Sequence, residues 1–379
     1  MDYQSFKNAV IAKCDSLGIA EYELYYQAGS STSVDTFRHE INEFSASQDG
    51  GVCFRCIVGG KMGYASTEAL NEAEAAAIVE RAVDNASVLE SEEAVFLCEG
   101  GQVYEPLEVK EYPLPSTEEM VAACLDTEKK LYEKDAAVID GSQVNVLSGT
   151  SETAIFNSKG LDLYYKNSFS GMVTAAVVSD GKEMSNDYQI KMGQLSKLDT
   201  DAMVSKAVED AKRKLGGDVP PTAVCPVVFS PEAMASLLNV FSSVFSSEYA
   251  QKGLSKLAGK EGAEIASPMV TLVDDPFHPE NPAPINFDAE GCVYIHDLSG
   301  LHAGGNAISG DFSLQSAGFL IRGGKKADFV KSFTVAGNFY DLLGKITALS
   351  NKVTLPRPFG TTTFGAPSVL VENLSVAGK

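Results

Sequence analysis

The sequence has 379 residues, of which 44% are hydrophobic and 21% are charged, and its formal net charge is −21. No apolar run approaches the roughly 18–20 residues of a membrane span, and the N-terminus lacks the basic and apolar regions of a secretory signal, so we expect a cytoplasmic protein without membrane contact. The acidic residues are spread along the chain and would repel a phosphate backbone at long range, so we also expect no nucleic-acid binding.

The N-terminal part of the chain shows the same order of elements twice. Apolar spacing predicts a helix at 2–17, an antiparallel meander with turns at 49–51 and 59–61, and a helix at 69–88. A capping box formed by Ser116 and Glu119 then opens a second such series, which ends in a helix at 201–215. The predicted strands occupy residues 21–27, 33–47, 52–58, 144–147, 153–157, 161–166, 171–178 and 188–191. We interpret this order as a duplicated helix–antiparallel meander–helix region, with repeats at 1–90 and 116–215.

A stiff, turn-rich linker at 216–221 follows the N-terminal domain, which we assign to residues 1–215. The C-terminal domain, residues 222–379, is predicted to be rich in strands, with one further helix at about 338–349. The predicted strands occupy residues 227–229, 269–273, 283–287, 292–295, 311–321, 329–335 and 368–371. The fold class predicted for the whole chain is therefore α+β.

The strand at 227–229 is expected to continue directly into the helix around which the C-terminal domain is organised. Ser230 is a favourable N-cap and Pro231 suits the first helical position. The buried face is expected to be formed by Met234, Leu237, Leu238, Phe241, Val244 and Phe245. The opposite face carries an asparagine and several serines, with no imidazole, thiol or carboxylate before Glu248. This face therefore offers nothing with which to hold a metal ion.

Other patterns that could indicate chemistry have simpler explanations. The seven cysteines are odd in number and scattered, which is typical of reduced thiols in a cytosolic protein. Cys53 and Cys56 match CxxC, but their segment alternates like a strand and would place them on opposite faces. The glycine-rich segment 304–311 lacks both the P-loop and the dinucleotide-binding pattern and is better explained by turns before a strand.

Histidines provide one alternative site. Of the four, His39 is expected to be a surface residue, whereas His278, His296 and His302 all fall in the C-terminal domain. Three histidines could build a metal site, with Asp274, Asp275 and Asp297 nearby in sequence. None of them has the helical spacing of a zinc motif, so ordinary hydrogen-bonding roles are the competing interpretation.

Several stretches, taken in their order along the chain, resemble the PmbA/TldD family, and the likeness extends over nearly all of it. The stretches are GKMGYAST at 60–67, GLSKLAGK at 253–260, TLVDD at 271–275, GDFS at 310–313, SAGF at 316–319, FTVAGN at 333–338 and the segment 366–378.

The resemblance implies a role in proteolysis. In that family, the TldD branch is a zinc peptidase with His-Glu-x-x-x-His on a helix, and the PmbA (TldE) branch lacks those ligands and pairs with the first branch to mature or degrade peptides. The corresponding hexamer here is NVFSSV at 239–244, and segment 355–365 contains no counterpart of the late cysteine ligand. This implies a PmbA/TldE-like pseudoenzyme subunit, inactive alone, with no catalytic, cofactor-binding or metal-ligating residue.

The partners implied are a TldD-like zinc protease subunit and a peptide substrate, with a homodimer as a further possibility. The family's older description as a modulator of DNA gyrase gains no support from the acidic charge. One departure concerns Gly291 and Cys292: relatives have several dozen residues between the stretches that resemble 287–291 and 293–300, whereas Cys292 joins them directly here. Two alternatives remain open, namely an independent metal-dependent hydrolase that uses His278, His296 or His302, and a self-associating binding module without a peptidase role.

Overall fold

The computed structural model describes residues 1–90, 94–101, 112–274, 292–351, 353–354 and 364–379. The chain forms two compact units, one of residues 1–178 and 186–208 and the other of residues 179–185 and 209–379. Helices and antiparallel sheets occur in both, which confirms the α+β class. The domain boundaries expected from the sequence stay a prediction. Within the described ranges, no helix is both long and apolar enough to cross a bilayer.

The first unit is built on a six-stranded sheet with the order β3-β2-β1-β4-β5-β6. Its strands are β1 (Glu21–Phe37), β2 (Glu40–Val58), β3 (Lys61–Thr67), β4 (Gln143–Asn157), β5 (Asp162–Ser179) and β6 (Met184–Met192). The two meanders meet at the centre of the sheet, where β1 and β4 pair antiparallel from Glu23 opposite Asn157 to Asp35 opposite Asn145. The helix–meander–helix order that the sequence predicted twice is thereby confirmed.

The helices of this part of the chain are α1 (Tyr3–Leu17), α2 (Glu72–Val88), α3 (Thr117–Lys134) and α4 (Thr200–Arg213). Helices α1 and α2 pack on the first meander, and α3 packs on β4 of the second as well as on β1. On α1, Phe6, Val10 and Cys14 are fully or almost fully buried and pack in one core with Leu24 of β1 and Phe54 of β2. The four-residue steps on the helix and two-residue steps on the strands are the periodicities expected for one buried face of each element. The capping box at Ser116 is present, as predicted.

The turn predicted at 49–51 is wrong. Asp49, Gly50 and Gly51 lie inside β2, paired with β1, and the chain reverses at Arg38 and His39, which have φ of 55° and 67°. The glycines serve close packing here, since a β-carbon on Gly50 would lie 2.9 Å from that of Ala28. The strand predicted at 33–47 is also wrong, because this reversal divides it between β1 and β2, whereas the turn predicted at 59–61 is confirmed. Strand β3 was not predicted, and β4 and β5 were each predicted as two strands although each is continuous through a polar middle section.

The second unit contains another six-stranded sheet, in the order β10-β9-β8-β7-β12-β11. Its strands are β7 (Ala223–Phe229), β8 (Val293–Ser299), β9 (Asp311–Arg322), β10 (Lys325–Asn338), β11 (Ile346–Leu349) and β12 (Val369–Ala377). An additional pairing between β10 and β12 makes the sheet close on itself. The only parallel pair among these described strands is β7 with β8, and all other pairs are antiparallel.

Three helices of this unit are α5 (Pro231–Phe241), α6 (Ser247–Gln251) and α7 (Phe339–Gly344). The helix predicted at 338–349 is wrong in its second half, because the chain leaves α7 after Gly344 and enters β11. Ile346 pairs with Val371 of β12, so it is buried as a strand residue rather than as a helical one. No strand forms at 269–273, and the strand predicted at 283–287 lies outside the described residues.

Candidate functional site

The site begins where β7 passes directly into α5. Ser230 is fully buried, and its Oγ accepts a hydrogen bond from the backbone N–H of Ala233 at 3.0 Å, which makes it the N-cap of α5. The same Oγ donates to the carbonyl oxygen of His296 at 3.2 Å, and the N–H of Ser230 donates to that of Ile295 at 2.8 Å. The start of α5 is therefore fixed to β8 as well as to β7. The strand, cap and helix predicted here are confirmed.

The predicted buried face of α5 is confirmed as far as Val244, but Phe245 is 43% exposed. The helix also ends earlier than predicted, since Ser242–Phe245 forms a 3-10 turn after Phe241. Phe241 stacks on Phe339 with ring centroids 4.5 Å apart. The 3-10 turn keeps Val244 buried, at 1% exposure, so the apolar stripe of α5 continues past the last residue of the α-helix.

The hexamer 239–244 is the part of α5 on which the family resemblance places zinc ligands. Asn239 is exposed, and Val240 packs so close to Gly305 that a β-carbon there would lie 2.9 Å from Val240 Cγ1. Val244 points into the core, and its carbonyl oxygen accepts a hydrogen bond from Ser255 Oγ at 2.5 Å. A carboxamide and two aliphatic side chains do not fit a zinc ion, which takes imidazole, thiolate and carboxylate ligands.

Three separate stretches of the chain converge on this end of α5. Ser255 and Lys256 belong to GLSKLAGK at 253–260, and Lys256 Nζ donates to the carbonyl oxygen of Ser309 at 2.6 Å. The ammonium group also lies 5.3 Å from the centre of the Tyr340 ring. The Tyr340 hydroxyl in turn donates to the carbonyl oxygen of Ala307 at 3.3 Å. Segments that are far apart in sequence thus form one wall beside the hexamer.

Asn338 holds the centre of this wall. Its Nδ2 donates to Asp311 Oδ1 at 2.8 Å and to the carbonyl oxygen of Ser309 at 2.9 Å, while its Oδ1 accepts from the N–H of Tyr340 at 3.1 Å and caps α7. The Asn338 amide and then the Ser309 hydroxyl hold the pKa of Asp311 below its usual range. The stretches GDFS and FTVAGN, which carried the family resemblance, meet at this pair.

The glycine-rich segment 304–311 supplies the turns that bring these groups together. Asn306 Oδ1 accepts from the N–H groups of Ile308 and Ser309 at 3.0 and 3.1 Å. Gly310 has φ of 82°, and a β-carbon on it would lie 2.4 Å from the Tyr340 ring. The prediction of tight turns before a strand is confirmed, and β9 begins at Asp311.

Sequence reasoning missed the roles of Asn338, Lys256 and Tyr340. Asn338 had a local signal, since asparagine directly before a short helical segment is a frequent N-cap. Lys256 and Tyr340 had none, because their partners lie 53 and 33 positions away along the chain.

The remaining site candidates from the sequence are not brought together as far as the structure describes them. His296 lies on β8 with its ring 6.5 Å from that of Phe319, and Asp297 pairs with Lys214 at 2.6 Å. His302 is an exposed turn residue, while His278 and Asp275 lie outside the described residues and Asp274 is exposed at their margin. In the part of the chain that the structure describes, no group of three or more His, Cys, Asp or Glu side chains could hold a metal ion.

Cys53 and Cys56 lie on β2, as the alternation predicted, with Cys56 buried and Cys53 half-buried. Burial raises the pKa of the Cys56 thiol to about 11, so it stays protonated at neutral pH. No disulfide joins any of the seven cysteines, all of which lie among the described residues. These observations agree with the interpretation of Cys53 and Cys56 as ordinary thiols of a strand.

Family models match most of the chain. The first domain of the PmbA/TldA metallopeptidases matches residues 22–86, the central domain matches residues 110–215, and the C-terminal domain matches residues 222–293 and 292–378. The chain belongs to the PmbA/TldD family. The C-terminal match of this family member is in two pieces that meet at Cys292 and Val293, the place where the sequence predicted a shortened segment. No curated protein matches the chain.

Solved structures show the same fold. A protein of Thermotoga maritima named as a proposed modulator of a DNA gyrase is 23% identical, with a TM-score of 0.83 over 99% of this PmbA/TldD chain and 100% of its own. A similarly named protein of Bacteroides thetaiotaomicron is 18% identical, with a TM-score of 0.81 over 99% of each chain. TldE from Thermococcus kodakarensis is 20% identical, with a TM-score of 0.75 over 98% of this chain and 99% of its own.

Proposed function

We propose that this chain is a non-catalytic, PmbA/TldE-like subunit that pairs with a TldD-like zinc metalloprotease in the maturation or degradation of peptides. The observation that carries the proposal is the hexamer 239–244 on α5, where the donor set of Asn239, Val240 and Val244 does not fit zinc. Membership of a metallopeptidase family supplies the proteolytic context. TldE, the structural neighbour from Thermococcus kodakarensis, supports placement in that branch.

Peptide hydrolysis by a zinc enzyme needs a Lewis acid that polarises the carbonyl and a carboxylate that handles the proton. The second position of the hexamer, Val240, is apolar and lies against Gly305. The last position, Val244, is directed into the core. Both places where the resemblance would require a base and a ligand are therefore filled by packing, which supports a subunit without chemistry of its own.

Although the hexamer 239–244 lacks zinc ligands, hydrogen bonds fix the segments around it. Asn338, Lys256 and Ser255 all make contacts that fix neighbouring segments to each other or to α5. An organised wall whose polar groups are engaged with one another is what a subunit would need if it contributes shape to a peptide-accepting cavity. We assign that role to this wall, with the TldD-like partner contributing the zinc site.

The decisive experiment compares three purified samples: this chain alone, a TldD-like protein with the His-Glu-x-x-x-His hexamer alone, and the two co-expressed. We expect no stoichiometric zinc and no hydrolysis from this chain alone, and a copurifying pair that cleaves unstructured peptides in a chelator-sensitive way. Peptide cleavage is followed by mass spectrometry, and zinc by elemental analysis. Zinc-dependent cleavage by the lone chain would overturn the proposal in favour of an independent hydrolase.

The same samples address the other expectations. A stable homodimer that neither copurifies with the TldD-like protein nor changes its cleavage of peptides would favour a self-associating binding module. Fractionation of cells that produce the untagged protein tests the proposed cytoplasmic location. Both outcomes are separate from the zinc measurement, so each expectation can fail independently.

A further inference from the structure

A buried carboxyl group on α3 has no place in the function proposed above. Glu128 is 0% exposed, and neither of its carboxylate oxygens has a hydrogen-bond partner. The buried stripe of α3 includes Met120, Cys124 and Glu128, and that of α1 includes Phe6, Val10 and Cys14 at the same four-residue steps. The second repeat therefore has an ionisable group where the first has a small, weakly polar residue.

The nearest hydroxyl group is already committed to the backbone. Thr36 of β1 is fully buried, and its Oγ1 donates to the carbonyl oxygen of Val144 at 3.3 Å while it accepts from the N–H of Val144 at 3.1 Å. Its one hydroxyl hydrogen is thus used by β4. An ionised carboxylate at Glu128 would consequently be buried without a full set of donors, which costs free energy that the neutral acid does not lose.

The titratable groups that face Glu128 come from three elements. They are Asp35 on β1, His39 in the β1–β2 turn, and Cys124 and Tyr132 on α3 itself. Burial raises the pKa of Glu128, and the positive charge of His39 is the largest influence in the opposite direction. Within this set, His39 is the group that can carry a positive charge.

The turn next to Glu128 is held by side-chain contacts near the surface, among them a hydrogen bond from Asn42 Nδ2 to Asp35 Oδ1 at 3.0 Å. The His39 ring lies 4.3 Å from that of Tyr132, and Arg38 pairs with Asp140 at 3.2 Å, although both side chains of that ion pair are about two-thirds exposed. Arg38 and His39 both occupy the left-handed region, which is unfavourable for residues other than glycine. Beyond this turn, β1 pairs with β2 as far as Glu21 opposite Ile57, with one register shift between Asp35 and Thr36, and it pairs with β4 from Glu23 to Asp35.

We propose that Glu128 is a proton-dependent latch for the β1–β2 turn. The neutral acid stays buried under the closed turn, and loss of its proton opens the turn, so that water reaches the carboxylate. The proton moves between the Glu128 carboxyl group and solvent. The positive charge of His39 opposes the opening, because it offsets the charge of the carboxylate. A rise in pH therefore loosens the turn, and a fall in pH closes it.

Opening would change the free end of the β1–β2 hairpin. Residues 40–50 of β2 are exposed on both faces and pair with β1 alone, because β3 pairs with β2 only from Val52 to Val58. The turn is the covalent link at the far end of this arm. The latch thus sets how rigidly the exposed arm is held, independently of any zinc chemistry in a partner.

Hydrogen exchange measured by mass spectrometry on the full chain tests the latch, with rates corrected for the intrinsic effect of pH. As pH rises above 4.5, the ordinary pKa of a glutamate carboxyl group, we expect the protection of residues 37–42 to fall by up to about tenfold per pH unit. Glu128→Gln should keep the turn protected at every pH. The matched control is Glu133→Gln on the same helix, whose side chain is 65% exposed and which should behave as the wild type.

Two further variants keep the test decisive. Glu128→Cys copies the residue that α1 places in its own stripe, so it should fold and should also remove the pH dependence. His39→Asn removes the imidazole but keeps a residue tolerant of the left-handed region, and should shift the loss of protection to lower pH. Protection that does not vary with pH in the wild type, or that varies equally in Glu128→Gln and Glu128→Cys, would overturn the proposal.

Discussion

Phe241 of α5 and Phe339 of α7 stack face to face, with ring centroids 4.5 Å apart and ring planes 6° from parallel. Both side chains are fully buried, and they connect the end of the central helix to the helix that Asn338 caps. The wall beside the hexamer 239–244 therefore depends on apolar packing beneath it as well as on its hydrogen bonds.

This pair gives a first prediction. Truncation of either ring to alanine should cost about 3–5 kcal/mol of unfolding free energy. A double-mutant cycle should give a coupling of about 0.5–1.5 kcal/mol from the stacking. Denaturant unfolding measures both quantities. Phe245→Ala, at a ring that is 43% exposed, is the control and should cost clearly less. Additive effects at Phe241 and Phe339 would contradict the coupling.

A second prediction concerns Asn338. Asn338→Ala removes the cap of α7 and the bonds to Asp311 and Ser309, and should cost about 1 kcal/mol or more. Asn338→Ser keeps a good cap but cannot bridge to Asp311, so the difference between the two variants isolates the cap. Equal stabilities in denaturant unfolding would show that the cap contributes nothing.

The Asn338–Asp311 contact also predicts a pH effect. The pKa of Asp311 is lowered in the folded state from its ordinary value of 3.8, so its stabilisation is present above that value and is lost as pH falls through the lower, folded-state pKa. In Asn338→Ala the pKa of Asp311 should move back towards 3.8. Carboxyl NMR titration reads the pKa directly. An unchanged midpoint in the variant would contradict the assigned cause.

Gly310 gives a third prediction. Gly310→Ala places a residue with a β-carbon at φ of 82°, with that carbon 2.4 Å from the Tyr340 ring. The left-handed conformation should cost about 1–2 kcal/mol, and displacement of the ring about 1–3 kcal/mol more. Gly259→Ala is the matched control, since Gly259 has φ of 70° and open space around it. Thermal unfolding should show a larger loss of stability in Gly310→Ala than in Gly259→Ala. Equal losses of stability would rule out the contact with Tyr340.

A fourth prediction tests whether ligand identity alone separates this chain from a zinc protein. The triple variant Asn239→His, Val240→Glu, Val244→His restores the sequence pattern, yet we expect no stoichiometric zinc, because position 244 is directed into the core. Burial of an unpartnered imidazole there should cost about 1–3 kcal/mol. Asn239→His alone, at an exposed position, should change stability by no more than about 0.5 kcal/mol. Tight zinc binding by the triple variant would show that packing around position 244 does not prevent a zinc site from forming.

The sequence was informative wherever local chemistry determines local structure. Ser230 before Pro231, and Ser116 with Glu119, are caps whose geometry depends on residues within one turn, and the structure has both. The apolar stripe of α5 was visible for the same reason. The absence of zinc-type donors on its other face could also be read directly from residue types.

The errors arose where tertiary contacts override local preference. Leu342, Leu343 and Ile346 have helical spacing, but pairing of Ile346 with β12 makes the last of them a strand residue. Gly50 and Gly51 have turn chemistry, but the close approach of Ala28 explains Gly50 inside a strand. The wall around Asn338 could not be assembled from sequence, because its hydrogen bonds join segments whose proximity only the closed sheet creates.

The central pairing of β1 with β4 has a consequence for biosynthesis. It joins residues as distant as Glu23 and Asn157, which lie 134 positions apart. At ordinary translation speeds, on the order of ten seconds separates the emergence of these two strands from the ribosome. Until β4 emerges, the edge of β1 that pairs with it has no partner strand, and its unpaired backbone donors and acceptors favour mispairing with other chains.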